Sequence, residues 1–271
     1  MRGWKWVGPA VAVLVLVTIV PLGRAIWTSL HRSSLTAPDD APLVGIDNYV
    51  NVLTNRAWWL AVATTLLLVV LVVITQVLLG CVFGAALNRW SLAWAPARAL
   101  VLLPLAVLSV VGVVMWRDAA TTGFVAEWFG GADASTRSWF AVGVAEVWRG
   151  TGLVVVVVAV ALSRVPASLL ASAMADGATA RQRWSRVVMP SIGPALAAIA
   201  TFRVFDTFRV LDGPLLVDRA SPARPVSVLM WNTQFTDFEL GLGAAMSMVL
   251  VLMAVVLAAI VVPLVRVRNA L

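Results

Sequence analysis

The chain has 271 residues, of which 61% are hydrophobic and 12% charged, with a formal net charge of +7. A soluble domain of that size could not hide so much apolar surface, so the composition points to an integral membrane protein. The single lysine (Lys5), histidine (His31) and cysteine (Cys81) exclude a phosphate-binding lysine loop, a lysine Schiff base, a zinc cluster and an internal disulfide.

A span needs about 20 apolar residues to cross ~30 Å of hydrocarbon. Six segments meet that need, at 7–30, 60–88, 99–117, 139–163, 191–217 and 241–265. The expected fold is therefore all-α, a single polytopic membrane domain over 1–271. Its core spans cover about 60–265, and 7–30 is an additional first span. Arg2 and Lys5 precede the first run, but that run is too long for a secretory signal and no small-residue cleavage site follows.

Between the first two spans, residues 31–57 form a Pro-containing loop with a short helix expected around 48–53. Cys81 lies among Val and Leu in the second span and reads as a small buried apolar residue. Residues 89–98 make a short loop. The segment 118–138, with Gly123, Gly130 and Gly131, is expected to hold a half-buried helix near 124–129. A polar stretch at 166–190 follows the fourth span, and a last loop with Pro222 and Pro225 covers 218–240.

Charge assigns the sides. Arg2, Lys5, Arg89, Arg98, Arg164, Arg181, Arg183, Arg186, Arg266 and Arg268 share one side, with Asp176 as its only acid. Asp39, Asp40, Asp47, Asp118, Glu127, Asp133, Asp218, Asp237 and Glu239 fall on the other. Positive charge near span ends marks the cytoplasm, so both termini and the 166–190 loop are expected there. Trp4, Trp6, Trp27, Trp58, Trp59, Trp90, Trp94, Trp116 and Trp139 lie near span ends, as an interfacial aromatic belt would.

The 166–190 loop has its own pattern. Pro166 ends the fourth span, and 167–175 reads as a short helix with Leu169, Leu170 and Ala173 on one side. Gly177 suits the left-handed conformation that stops a helix. The small residues Ala171, Ser172 and Ala173 permit close approach of a partner, and Arg181, Arg183 and Arg186 offer charged contacts. In the fifth span Arg203, Asp206, Arg209 and Asp212 stand three residues apart, a spacing that lets opposite charges pair along one helix face. A charge facing hydrocarbon costs at least ~2.5–3.5 kcal/mol, so this column is expected to face a wet cavity or another subunit. It reads either as a self-neutralising lock or as part of a substrate path.

The Asp176-Gly177-Ala178 triplet, with Trp184, Pro190 and Pro194 behind it, resembles the cytoplasmic loop of permease subunits of ATP-binding-cassette importers. Three further phrases resemble the maltose and glycerol-phosphate importer class: Gly45-Ile46-Asp47-Asn48-Tyr49, Trp148-Arg149-Gly150, and the F-R-x-x-D-x-F-R-x-x-D run from Phe202 to Asp212. Leu102-Leu103-Pro104 through Ser109 is similar too, so the likeness covers roughly 43–265. It is to the subunit type that usually carries the substrate site. Two departures stand out: Ala171 occupies the place of the family's leading glutamate, and Ala220-Ser221-Pro222 stands where Gly-Gly-Pro is usual.

The resemblance implies a type I importer permease in a bacterial cytoplasmic membrane, moving a sugar or glycoside. It implies an ATPase-coupling segment at Ala171, Ser172, Ala173, Asp176, Gly177, Ala178 and Arg181. It also implies a substrate region at Ser109, Trp148, Gly150, Arg203, Asp206 and Thr207. Implied partners are a second permease subunit, two ATPase subunits and an extracytoplasmic substrate-binding protein. ATP and Mg would be bound and hydrolysed by the ATPase, leaving this chain without cofactor, metal, nucleic acid or catalytic residue. The alternatives are a permease for glycerol-phosphate-like anions, a free-standing secondary carrier or channel, or a membrane enzyme.

Overall fold

The structure, a computed structural model, describes residues 4–37, 41–89, 95–129, 133–216 and 224–267. Of the residues singled out above, Arg2, Asp39, Asp40, Trp90, Trp94, Gly130, Gly131, Asp218, Ala220, Ser221, Pro222 and Arg268 lie outside the described residues. The fold is all-α. Among the described residues the only β-type pairings are two isolated bridges, His31 with Leu43 and Ser34 with Glu239. Two compact units are present, Met1–Val62 with Pro222–Val256, and Ala63–Ser221 with Leu257–Leu271.

The first unit holds α1 (Trp4–Ser29), α2 (Asp47–Thr54), the start of α3 (Arg56–Arg89), and, later in the chain, α11 (Val226–Phe235) and most of α12 (Leu240–Val267). Its core packs Val52, Trp58, Ala61, Val226, Leu229 and Met246. The 31–46 loop is pinned by Asn48, whose buried carboxamide donates to the carbonyls of Ser29 at 2.8 Å and His31 at 3.0 Å. The hydroxyls of Ser29 and Tyr49 add a contact at 2.6 Å. Trp58 corrects the aromatic-belt expectation: it is fully enclosed, in a core shared with Val52 of α2, Val226 and Leu229 of α11, and Ala245 and Met246 of α12. Trp27 and Trp59 remain exposed, as belt residues would.

The second unit holds the rest of α3, then α4 (Ala95–Ala106), α5 (Ser109–Thr121), a 3-10 turn at Ala126–Phe129, and α6 (Ala134–Ser163). After these come α7 (Ala167–Ala175), α8 (Ala180–Arg183), a π-helical turn at Trp184–Val188, α9 (Met189–Phe208) and α10 (Asp212–Leu215). Helix α6 is central and packs on α4, α5 and α9. It starts at Asp133, whose carboxylate accepts from the Thr136 amide at 3.0 Å and so caps the helix. Along α3, Gly80 and Gly84 lie under Val154 and Val158 of α6, and a methyl group at either glycine would collide with those valines. Small residues at such a crossing let helix backbones approach closely. Cys81 packs beside Val154, Val158 and Ile199, as expected of a small apolar residue.

Among the described residues, three helical runs are long and apolar enough to cross a membrane: Arg56–Asn88, Ser135–Ser163 and Ala180–Leu215. Val13–Ser29 and Leu240–Val256 are shorter apolar stretches. The expected third span is not one straight helix. It is the pair Ala99–Ala106 and Ser109–Thr121, bent by 94°. Pro104 withholds a backbone donor near the end of α4, and Leu108 is extended at ψ 136°, so the helical ladder breaks there. The fifth run also differs from the expectation. Helicity begins at Ala180, ahead of Pro190, and α9 stops at Phe208.

Candidate functional site: a charged cluster and an exposed corner

Five charged and polar side chains of α3, α6 and α9 converge on one place in the second unit. Arg203 of α9 is completely buried, and its Nε donates to Oε1 of Gln76 at 2.9 Å. Gln76, buried in α3, donates from its own amide to the carbonyl of Glu146 at 2.7 Å. The other side of the guanidinium pairs with Asp206 one helical turn along. Oδ2 of Asp206 also lies 3.8 Å from Nη2 of Arg149, and Arg149 pairs with Oε2 of Glu146 at 2.9 Å. Five side chains from three helices thus form one network of two cations, two carboxylates and a carboxamide.

Burial is uneven across it. The side chains of Asp206 and Arg149 are 19% and 21% exposed, against 0% for Arg203 and 1% for Glu146. Arg203 Nη2, Arg149 Nε and the Thr207 hydroxyl are buried without a hydrogen-bond partner. Asp206 and Arg149 are therefore the edge that another molecule can reach, and Arg203 stands behind them. Gly150 carries no side chain to offer. A methyl group there would overlap Arg203 Nη2 and the amide nitrogen of Gln76, so the glycine makes room for both.

The expected four-residue column on one helix is shorter than its spacing implied. Arg203 and Asp206 pair, but α9 ends before Arg209, which is 81% exposed and 3.8 Å from Oδ1 of Asp206. Asp212 opens α10 beyond the break. Ser109 starts α5 at the bend, and none of the network's contacts involves it. Trp148 faces Gly112 and lines an apolar cavity of about 780 Å³ with Leu79, Phe83, Leu100, Pro104 and Val155. That cavity offers a polyhydroxylated molecule almost nothing to bond, because its lining is almost wholly apolar. The hydrogen-bonding groups are in the charged cluster instead. Sequence reasoning missed Gln76 and Glu146. The signals were there: one carboxamide in a long apolar run, and a glutamate three residues before Arg149.

The second candidate is the corner after α6. Pro166 sits at the N-cap of α7, which buries none of its residues. Gly177 has φ +76°, and the Ala178 amide donates to the Ala173 carbonyl at 3.0 Å. Together with the Gly177 amide donating to Met174 at 3.0 Å, this is a Schellman stop. Thr179 then opens α8 in a capping box with Gln182, and Arg183 donates to the Ala178 carbonyl at 2.8 Å. Ala171, Ser172, Asp176 and Arg181 are exposed on this braced corner, while Ala173 and Ala178 are half-buried. Leu169 and Met174 are also exposed, at 47% and 54%.

No protein-family model matches the chain. The trehalose transport system permease protein SugA of Mycobacterium tuberculosis is 34% identical over 251 residues, spanning 90% of this chain and 82% of that one. The chain belongs to the permease subunits of ABC transporters. A second permease relative, the trehalose/maltose system protein MalF of Thermococcus litoralis, is 26% identical over 261 residues, 90% of this chain and 87% of its own. The sn-glycerol-3-phosphate permease UgpA of Shigella flexneri is 28% identical over 267 residues, 93% of this chain and 89% of its own. The fold matches a crystal structure of a bacterial alginate ABC transporter in complex with an alginate pentasaccharide-bound periplasmic protein. The TM-score there is 0.71, with 18% identity over 99% of both chains. A chain of the MetNI methionine ABC transporter gives a TM-score of 0.59 at 17% identity, over 78% of this chain and 96% of that one. As a permease subunit, this chain is a membrane-embedded transport component.

Proposed function

We propose that this permease moves an uncharged sugar or glycoside, with Asp206 and Arg149 as the groups that meet it. The carrying observation is that these two partly exposed charges are each compensated, Asp206 by Arg203 and Arg149 by Glu146. A balanced pair offers donors and acceptors together, as sugar hydroxyls require, without favouring either sign of charge. Similarity to a trehalose permease supports the substrate class. Arg203, Thr207 and Gly150 then act from behind, and Ser109 and Trp148 are assigned to the wall of the path. Helices α3, α6 and α9 would make a single permease domain with the remaining spans, both termini being cytoplasmic.

The exposed corner from Ala171 to Arg181 is assigned to an ATPase subunit. Its support is the braced turn at Gly177 and an apolar face that α7 leaves uncovered. The working complex would comprise this chain, a second permease subunit, two ATPase subunits that bind ATP and Mg, and an extracytoplasmic binding protein. Closure of the ATPase pair would move the corner as a rigid body and switch the access of the path.

Uptake of radiolabelled trehalose by the complex in proteoliposomes tests the assignment. In the fraction of Asp206→Asn complex that assembles, the KM for uptake should rise at least tenfold while ATP hydrolysis without substrate persists. An unchanged KM with normal assembly would remove Asp206 from the path.

A further inference from the structure

We infer that Glu146 is a specificity-determining residue that keeps the path closed to anions by cancelling Arg149. The inference rests on the reading that Asp206 and Arg149 face the substrate. Glu146 is 1% exposed and pairs with Arg149 one turn later on α6 at 2.9 Å. Two other carboxylates act on Arg149: Asp206 at 3.8 Å, already engaged by the buried Arg203, and more distantly Asp212 at the start of α10. With Glu146 ionised, the carboxylates of Glu146, Asp206 and Asp212 balance Arg149, Arg203 and Arg209. Without its charge, the partly exposed guanidinium of Arg149 becomes the uncompensated member of the cluster.

In a poorly solvated span, one unit of net charge a few ångströms from a ligand outweighs the neutral hydrogen bonds around it. A net positive cluster would attract phosphate, sulfonate or carboxylate groups. The balanced cluster gives an anion no such gain to offset the loss of its hydration. Specificity of this kind comes from denying the competitor a favourable site as much as from fitting the substrate. Arg209, 81% exposed beside Asp206, already places one cation at the edge. Glu146 is then the residue that keeps a second cation from joining it. The carboxylate does not reach the substrate itself; it acts through Arg149.

The test uses the complete complex with its binding protein in proteoliposomes. Trehalose uptake is titrated with glycerol 3-phosphate as the anionic probe and with glycerol as its uncharged control. The wild-type complex should respond weakly and alike to both. In Glu146→Gln, the concentration of glycerol 3-phosphate that halves uptake should fall at least tenfold, with the glycerol response unchanged. Glu146→Gln combined with Arg149→Gln should lose the new anion sensitivity. All arms share one binding protein, so any difference belongs to the permease. A Glu146→Gln complex that transports with the wild-type anion response overturns the inference. So does an inactive single variant restored by the double one, which would make the pair a helix lock only. If Asp206→Asn also leaves the KM unchanged, the placement of the path fails instead, which separates the two claims.

Discussion

The Cα of Gly150 lies directly beneath the guanidinium of Arg203, and a methyl group at that position would occupy the same space as Nη2. One missing side chain on α6 thus allows an arginine of α9 and a glutamine of α3 to meet. Gly150→Ala should push both aside. Inserting a methyl into packed surroundings typically costs about 1–3 kcal/mol. A lower midpoint in the thermal unfolding of the purified complex is expected, together with reduced uptake. Wild-type stability would show that the cluster tolerates another arrangement.

Gln76 bridges α3 to both other helices of the cluster, accepting from Arg203 and donating to the Glu146 carbonyl. Gln76→Leu preserves volume but leaves Arg203 Nε with no acceptor. A buried donor stranded in this way costs about 1–3 kcal/mol, and more when it is charged. Complex yield from membranes should therefore fall, and quantitative blotting of the partner subunits would measure it. Normal yield with normal uptake would make the carboxamide dispensable.

Arg203 and Asp206 separate a lock from a contact. Each single neutral change strands a partner, and Asp206→Asn leaves a fully buried cation without its carboxylate. Breaking a buried pair typically costs about 3–5 kcal/mol. Arg203→Gln with Asp206→Asn should restore assembly relative to either single variant, yet uptake should stay low because the group that meets substrate is gone. Full transport by the double variant would reduce the pair to a structural device.

At the corner, Gly177 holds φ +76° with open space around it, so backbone strain rather than a clash limits substitution. An L-residue in this conformation costs roughly 1–2 kcal/mol. Gly177→Arg should weaken the Schellman stop and add bulk to the surface assigned to the ATPase. Substrate-stimulated ATP hydrolysis should fall several-fold while the permease still reaches the membrane. A cysteine introduced as Ser172→Cys should crosslink to the ATPase and stay unreactive toward impermeant thiol reagents outside intact cells. Labelling from outside would reverse the assigned orientation.

The corner was legible from local chemistry. Pro166 cannot continue α6 into α7, and Gly177 tolerates a left-handed turn; the capping box of Thr179 with Gln182, seen only in the structure, is equally local. Each of these acts within a few residues of itself. The same holds for the apolar runs, because a backbone in hydrocarbon has to satisfy its hydrogen bonds internally and so becomes helix. The start of the charged column was visible for the same reason, since Arg203 and Asp206 are neighbours on one helix.

The rest depended on which helices meet. Nothing within the second span says that Gln76 is needed, because its partners lie 70 and 127 positions away in sequence. The family resemblance places Gly150 in the substrate region, but only packing shows that it also makes room for two side chains from other helices. Trp58 reads as an interfacial anchor in the sequence, but α2, α11 and α12 enclose it. The break at Val107 and Leu108 turned one expected span into two helices at 94°. Local pattern was thus enough for helical character, the braced corner and one ion pair. Tertiary packing alone decided which charges are hidden and which are reachable, because burial and compensation depend on neighbours that the chain brings together only on folding.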